Sequence, residues 1–218
     1  MMQIFWIIFC HELLIYFRQF AKVFANFLFF IISVATFFLI TSVLDNKASK
    51  DFLSIAVIWF SIISCLIFSA AEFLKKDFDD GTIEQILTSI DNFEIFILAK
   101  MLSNWLICSL PILISIIPIA ALIGFNQKLT INLVVMIFLA TLIINFICSF
   151  CGSLSILGNS APLVAIIALP LIIPILLIAL NGLSNDFNVS LRILLGLNIF
   201  LGAVTTFATA KIVKIAAE

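Results

Sequence analysis

Residues 72–100 read EFLKKDFDDGTIEQILTSIDNFEIFILAK and form the one long polar interruption in an otherwise apolar chain. Ten of the 23 Lys, Arg, Asp and Glu residues lie in this stretch, whereas most of the apolar runs around it contain none. The whole chain is 64% hydrophobic and only 11% charged, while soluble domains carry about 25% charged residues. These proportions predict an all-α integral membrane protein with one polar loop.

The apolar runs on either side of the loop have the length of membrane-spanning helices, since a helix needs about 20 apolar residues to cross the hydrocarbon. Six such spans are predicted, at residues 23–44, 52–71, 101–125, 129–151, 161–180 and 191–210. They account for most of the 218 residues and leave no room for a separate soluble domain. The chain is therefore predicted to be one membrane domain over residues 1–218.

The first 22 residues are apolar but are broken by His11, Glu12, Arg18, Gln19 and Lys22. Three of these (His11, Arg18 and Lys22) share one helical face, which predicts an amphipathic helix lying in the membrane interface. The basic residues follow the apolar core, and no small-residue cleavage site is present, so a cleaved signal peptide is disfavoured.

Basic residues also predict the orientation of the spans. Seven of them share a side with the N-terminus, namely Arg18, Lys22, Lys75, Lys76, Lys100, Lys211 and Lys214. Four lie on the opposite side, namely Lys47, Lys50, Lys128 and Arg192. Because cytoplasmic loops are enriched in Lys and Arg, both termini and the polar loop are predicted to lie in the cytoplasm.

Within the loop, the segment GTIEQILTSI (81–90) has a helical pattern, with Ile83, Ile86, Leu87 and Ile90 on a single apolar stripe. Thr82 and Gln85 have capping-box spacing, and a glycine at position 81 permits a sharp turn before the helix. A helix this short is not stable alone, so another surface must hold it.

Acidic residues surround this short helix, and they indicate which surface holds it. The acidic residues are Glu72, Asp77, Asp79, Asp80 and Glu84, and anionic lipid headgroups would repel them. A protein partner with a basic rim fits better, and the simpler alternative is a solvated charged loop without a partner. The net charge of −1 provides no basic field for nucleic acid.

Three further features bear on function. Prolines lie within the third span (Pro111 and Pro118) and the fifth (Pro170 and Pro174), and Gly152 and Gly158 follow the fourth; these are packing kinks or candidate hinges. The polar residues Asn104, Ser109, Ser115, Asn145 and Asn198 either line a path or, more commonly, join helices by hydrogen bonds. Four of the spans, at 23–44, 52–71, 101–125 and 129–151, contain no ionisable residue, which argues against a proton-coupled or ion-coupled carrier.

Candidate ligands for a metal or for haem are scarce. The five cysteines (Cys10, Cys65, Cys108, Cys148 and Cys151) lie in or beside apolar runs and are predicted to be free buried thiols. The C-x-x-C formed by Cys148 and Cys151 has no following His and no second pair. His11 is the only histidine and is interpreted as a polar-face residue, so no metal site and no haem ligand is assigned.

Several motifs together resemble a known family. The loop, with its DDGTIEQIL (79–87) and its LAK (98–100), resembles the first cytoplasmic loop of ABC-2 type permeases of ABC transporters. More narrowly, the chain resembles the haem exporter protein B family, the permease subunit of cytochrome c maturation. The narrower resemblance rests on KKDFDDGTIEQIL (75–87), LAKMLSNWLICSLPILI (98–114), LPLIIPILL (169–177) and FATAKIVKIA (207–216). One departure is DNFEI (91–95), which stands where family members carry proline-rich sequence.

The resemblance implies a permease that is driven by a separate ATPase subunit. Residues 72–100 would be its cytoplasmic coupling loop, with the apolar stripe seated in a groove of the ATPase. The residues implied in this coupling are Glu72, Asp77, Asp79, Asp80, Gly81, Thr82, Ile83, Glu84, Ile86, Leu87 and Ile90. No phosphate-binding G-x-x-x-x-G-K-[ST] motif occurs in the sequence, which agrees with ATP and Mg²⁺ binding to the partner.

The implied complex has further parts. A second permease copy, or another membrane subunit of the cytochrome c maturation complex, is expected beside this chain, with haem as the candidate substrate. Two alternatives stay open at this stage: an ABC-2 permease for a polysaccharide, lipid or drug, and a channel or assembly scaffold unrelated to ABC transporters. Co-purification of an ATPase and loss of c-type cytochromes on deletion separate the three.

Overall fold

The structure is a computed structural model that describes residues 2–18, 20–41, 47–71, 73–89, 92–158, 162–184 and 186–217. Within these ranges the side chains of residues 2–4, 17–18, 20–22, 41, 47–49, 71, 157–158 and 162–163 are not described. Two of the predicted coupling residues, Glu72 and Ile90, therefore lie outside the described part, as do the side chains of Arg18 and Lys22.

The described residues form nine α-helices and no strand, which confirms the all-α prediction. The helices are α1 (Met2–Arg18), α2 (Phe20–Thr41), α3 (Lys47–Ala71), α4 (Lys75–Asp79), α5 (Thr82–Ser89), α6 (Phe93–Ile123), α7 (Gln127–Gly158), α8 (Pro162–Ser184) and α9 (Phe187–Ala217). Six of them (α2, α3, α6, α7, α8 and α9) are long and apolar enough to cross a membrane, as predicted.

Three of the spanning helices are longer than their apolar runs. Helices α6 and α9 have 31 residues each, and α7 has 32. At 1.5 Å per residue each is about 46–48 Å long, whereas the hydrocarbon is about 30 Å thick. Helix α6 begins at Phe93, so the last eight residues of the predicted loop belong to the third span. These helices project well beyond the hydrocarbon.

Helix α7 lies at the centre of the bundle and contacts α3, α6, α8 and α9. Gly152 lies within this helix and not, as predicted, after the end of the span. A β-carbon at this position would collide with the carbonyl oxygen of Ala70 at the end of α3. Glycine therefore allows the backbones of α3 and α7 to approach closely here.

The four prolines predicted as kinks or hinges all lie inside continuous helices. Pro111 and Pro118 are in α6, and Pro170 and Pro174 are in α8. The hydroxyl of Ser115 donates a 2.7 Å hydrogen bond to the carbonyl of Pro111, within the same helix. The hinge role of these prolines stays a hypothesis.

One end of the bundle, which we call the loop end, contains most of the polar residues. Here α3 ends, α6 begins and α9 ends, and α1, α4 and α5 gather around them. A second apolar cluster lies at this end, separate from the main core of the spans, and includes Phe73, Leu74, Ile83, Phe93, Phe96, Ile97, Met101, Phe146, Ala210 and Val213. We call it the loop-end cluster.

Candidate functional site

The predicted loop helix is present as α5, and α4 precedes it. Gly81 separates the two with φ +70°, so the predicted sharp turn is confirmed. The backbone N–H of Gln85 donates to the carbonyl of Gly81, which makes Gly81 the residue that caps α5. A capping box would need Thr82 to be the capping residue, so the predicted cap is wrong by one residue. The described part of α5 runs from Thr82 to Ser89.

The apolar stripe of α5 packs against this chain itself. Ile83 is 1% exposed and belongs to the loop-end cluster, and the half-buried Ile86 and Leu87 pack against the same cluster. The prediction that the stripe seats in a groove of a partner is therefore wrong for Ile83, because the ends of α6 and α9 already cover it. The exposed residues of α5 are Thr82, Glu84, Gln85, Thr88 and Ser89.

The acidic residues of the loop do not share one environment. Asp79, Asp80 and Glu84 are exposed, as expected of a charged rim. Asp77 is different, because its carboxylate lies 2.5 Å from the Lys100 ammonium and its side chain is only 24% exposed. Asp77 is thus an internal ion-pair partner and does not belong with the exposed rim.

Lys100 is the centre of a buried charged group at the loop end. Its ammonium lies 2.8 Å from the Glu12 carboxylate on α1 in addition to the Asp77 carboxylate on α4. The side chains of Lys100 and Glu12 are 5% and 6% exposed. We call Glu12, Asp77 and Lys100 the charged triad; it joins α1, α4 and α6.

In the sequence Lys100 ends the LAK motif and Glu12 interrupts the first apolar run. The sequence also contains a signal that Glu12 is buried. At 3.6 residues per turn, Phe5, Phe9, Glu12 and Tyr16 share one face of α1, so the carboxylate projects from an otherwise aromatic surface. A carboxylate on such a face needs a buried cation as partner.

A separate chain of hydrogen bonds lies one helical turn further along α1 and α6 than the charged triad. The Tyr16 hydroxyl (α1) and the Ser69 hydroxyl (α3) donate to the Asn104 carbonyl oxygen at 3.2 and 2.9 Å. The Asn104 amide then donates to the Asn145 side chain on α7 at 3.0 Å, and Asn145 donates to the Met101 carbonyl at 2.9 Å. We call Tyr16, Ser69, Asn104 and Asn145 the polar chain. Its bonds confirm helix–helix hydrogen bonding for Asn104 and Asn145.

Comparison with known proteins places this architecture in a family. The profile of the CcmB protein family matches residues 3–216. The chain belongs to the CcmB family. Among relatives, the heme exporter protein B of Haemophilus influenzae is 26% identical over 214 residues, which cover 95% of this chain and 96% of the relative.

Two further CcmB relatives match shorter stretches. The heme exporter protein B of Pseudomonas aeruginosa is 26% identical over 189 residues, covering 86% of this chain and 84% of the relative. That of Escherichia coli K12 is 29% identical over 112 residues, covering 51% and 50%. The resemblance inferred from the loop and span motifs is thereby confirmed.

Other polar groups of this CcmB chain have mixed roles. Asn198 on α9 donates a 3.0 Å hydrogen bond to the Leu139 carbonyl on α7, as predicted for helix–helix contacts. The hydroxyl of Ser115 bonds within its own helix. At the loop end, the Lys214 ammonium lies 3.0 Å from the Glu94 carboxylate and so ties the end of α9 to the start of α6.

The candidate ligand residues of this CcmB chain are its histidine and its cysteines. His11 is exposed on α1. All five cysteines are free; Cys65, Cys148 and Cys151 are buried and the other two half-buried, which confirms the prediction of free thiols in apolar surroundings. Within the described ranges, no three His, Cys, Asp or Glu residues are grouped so as to hold a metal ion.

Tyr16 is the titratable residue of the polar chain, and its surroundings favour the protonated phenol. Burial, with smaller contributions from Cys108, Glu12 and Asp77, raises the pKa of Tyr16. The phenol therefore stays protonated at neutral pH and donates its hydrogen bond to Asn104. The loop end of this CcmB chain thus contains the short helix α5, which has one exposed face, and a set of hydrogen bonds that join α1, α3, α6 and α7.

Proposed function

We propose that this chain is the membrane permease subunit of a haem exporter that acts in cytochrome c maturation and is driven by a separate ABC ATPase subunit. The observation that carries the proposal is the CcmB family match over residues 3–216. The relatives named heme exporter protein B support haem as the substrate class. ATP and Mg²⁺ bind the partner, and this chain contributes no catalytic residue.

The geometry of α5 supports its role as the coupling helix. Its exposed face presents Glu84 and Thr88, while Ile83 on the opposite face is buried in the loop-end cluster, to which the start of α6 and the end of α9 contribute. A partner that binds the exposed face and moves α5 therefore also moves α6 and α9. Asp79 and Asp80, in the turn before α5, form an acidic rim for basic residues of the ATPase.

The complex requires more than one permease. An ABC transporter closes around two membrane halves, and this chain supplies the six spans of one half. We propose that the other half is a second copy of this chain or another membrane subunit of the same maturation complex.

The proposed orientation in the bacterial inner membrane places the loop end and both termini in the cytoplasm, because seven of the eleven basic residues lie on that side. A reporter that is active only in the periplasm and is fused after Glu218 is expected to be silent. The same reporter inserted between Asn126 and Lys128 is expected to be active. Activity of the C-terminal fusion would contradict the orientation.

Deletion of the gene tests the function itself. We expect deletion to abolish covalent haem staining of c-type cytochromes, and re-expression of this chain to restore it. An affinity tag on the chain is expected to co-purify an ATPase subunit from solubilised membranes. Intact cytochromes in the deletion strain would contradict the role in maturation, and the absence of an ATPase from the purified complex would contradict the ABC mechanism.

A further inference from the structure

We propose that the charged triad is the joint that transmits movement of the coupling loop to the membrane spans, with Lys100 as its positioning residue. This inference rests on the proposed function and adds to it the residues through which energy passes. The triad residues belong to α1, α4 and α6, and none of them lies on α5, whose exposed face is the proposed ATPase-binding surface.

The geometry of the triad fits a joint between three elements. Lys100 extends from α6 and binds one carboxylate on α1 and one on α4, at 2.8 and 2.5 Å. Helix α4 has five residues and no fully buried residue, and Phe78 packs against the loop-end cluster beside the buried Phe73 and Leu74. To this apolar contact Asp77 adds the ion pair that joins α4 to Lys100 on α6.

Stability alone does not account for charges at this place. A buried ion pair loses about as much in desolvation as it gains in attraction, and apolar residues of similar size often replace one without loss. What an ion pair does provide is one fixed geometry, because both partners are costly to leave unpaired. The triad therefore fixes the relative position of α1, α4 and α6.

The polar chain extends this connection deeper into the bundle. Asn104 lies one helical turn after Lys100 on α6, and Tyr16 lies one turn after Glu12 on α1. The Tyr16 hydroxyl donates to Asn104, which in turn bonds Asn145 on α7. Because Lys100 and Asn104 lie on the same helix, a displacement of Lys100 that moves α6 also moves Asn104 and its hydrogen bond to α7.

The charges of the triad indicate which variant breaks the joint most cleanly. Two carboxylates face one ammonium, so Lys100→Met would leave two unpaired carboxylates and damage the fold. Asp77→Asn removes the carboxylate that binds α4 to Lys100. One buried carboxylate (Glu12) then faces one ammonium (Lys100), so the net charge of the remaining pair is zero. Glu12→Gln is the complementary variant, since it leaves the Asp77–Lys100 pair and releases α1.

The experiment compares Asp77→Asn and Glu12→Gln with the wild type in a deletion strain, and uses Asp186→Asn as the matched control. Asp186 is exposed and precedes α9 at the other end of the bundle. Three quantities are measured: co-purification of the ATPase, ATP hydrolysis by the purified complex, and haem staining of c-type cytochromes.

We expect both triad variants to retain the ATPase and its hydrolysis while c-type cytochromes fall about tenfold, because a charge-assisted hydrogen bond is lost from the transmitting contact. Asp77→Glu, which keeps the carboxylate, is expected to restore much of the loss, and Asp186→Asn to resemble the wild type.

Normal levels of c-type cytochromes in both the Asp77→Asn and the Glu12→Gln variants would overturn the proposal that the triad transmits movement of the coupling loop. Loss of the ATPase from the complex in step with the cytochromes would also overturn it, because the triad would then shape the docking surface. Failure of the proposed function is seen separately, in the wild type and in the deletion strain, whatever the variants do.

Discussion

Replacing Ile86 and Leu87 together with aspartate is expected to abolish co-purification of the ATPase while the six spans remain in the membrane. Both side chains pack against the loop-end cluster, and two carboxylates in their place would lose these apolar contacts and part of their own hydration. Helix α5 has only eight residues and is not stable without that surface. The double variant should therefore release the coupling helix from the bundle.

The measurement is pull-down of the ATPase from solubilised membranes, with hydrolysis assayed on the bound fraction. Thr88→Ala is the control, because it adds no charge and removes a hydroxyl that bonds carbonyls of α5 itself, so the helix stays packed on the loop-end cluster. We expect a much smaller reduction for this variant. If the double-aspartate variant retained full association and full turnover, α5 would not be the coupling element.

Gly152→Ala is expected to destabilise the protein by about 1–3 kcal/mol, the usual cost of overpacking a tight core. The added β-carbon would meet the backbone oxygen of Ala70, which cannot rotate away as a side chain can. Helix α7 must then shift relative to α3, and the main core lies between them. Thermal unfolding of the purified chain in detergent measures the effect.

Gly196→Ala is the matched control for this substitution. Gly196 is also within a spanning helix, but a β-carbon there would meet no atom within 4 Å. The control should be neutral or stabilising by up to about 1 kcal/mol, because alanine favours helix over glycine. Equal melting temperatures for the two variants would show that the close approach of α3 and α7 does not contribute to the stability of the protein.

The spans and the short loop helix were predictable because each depends on local sequence. Runs of about 20 apolar residues require a membrane, and the spacing of Ile83, Ile86 and Leu87 requires a helix with one apolar face. What that face contacts was not predictable. A stripe that fits a partner's groove fits the chain's own aromatic cluster equally well, and periodicity does not distinguish the two.

The charged triad shows a second limit of sequence reasoning. Glu12 and Lys100 are 88 residues apart, and Asp77 resembles its acidic neighbours Asp79 and Asp80 in every local respect. Only the packing of α1 beside α6 separates the buried carboxylates from the exposed ones. Asn104 and Asn145 are recognisable as polar residues in apolar runs, but their hydrogen bond to each other is likewise a result of tertiary packing.

The length of α6 has a mechanical consequence. The helix is held by its polar contacts at Asn104, which is eleven residues from Phe93 and nineteen from Ile123. At 1.5 Å per residue the two arms measure about 17 and 29 Å. If Asn104 acts as a fulcrum, each ångström of sideways movement at the loop end becomes about 1.7 Å at the opposite membrane surface. Pro111 and Pro118 lie on the longer arm, so any bending there reduces this leverage.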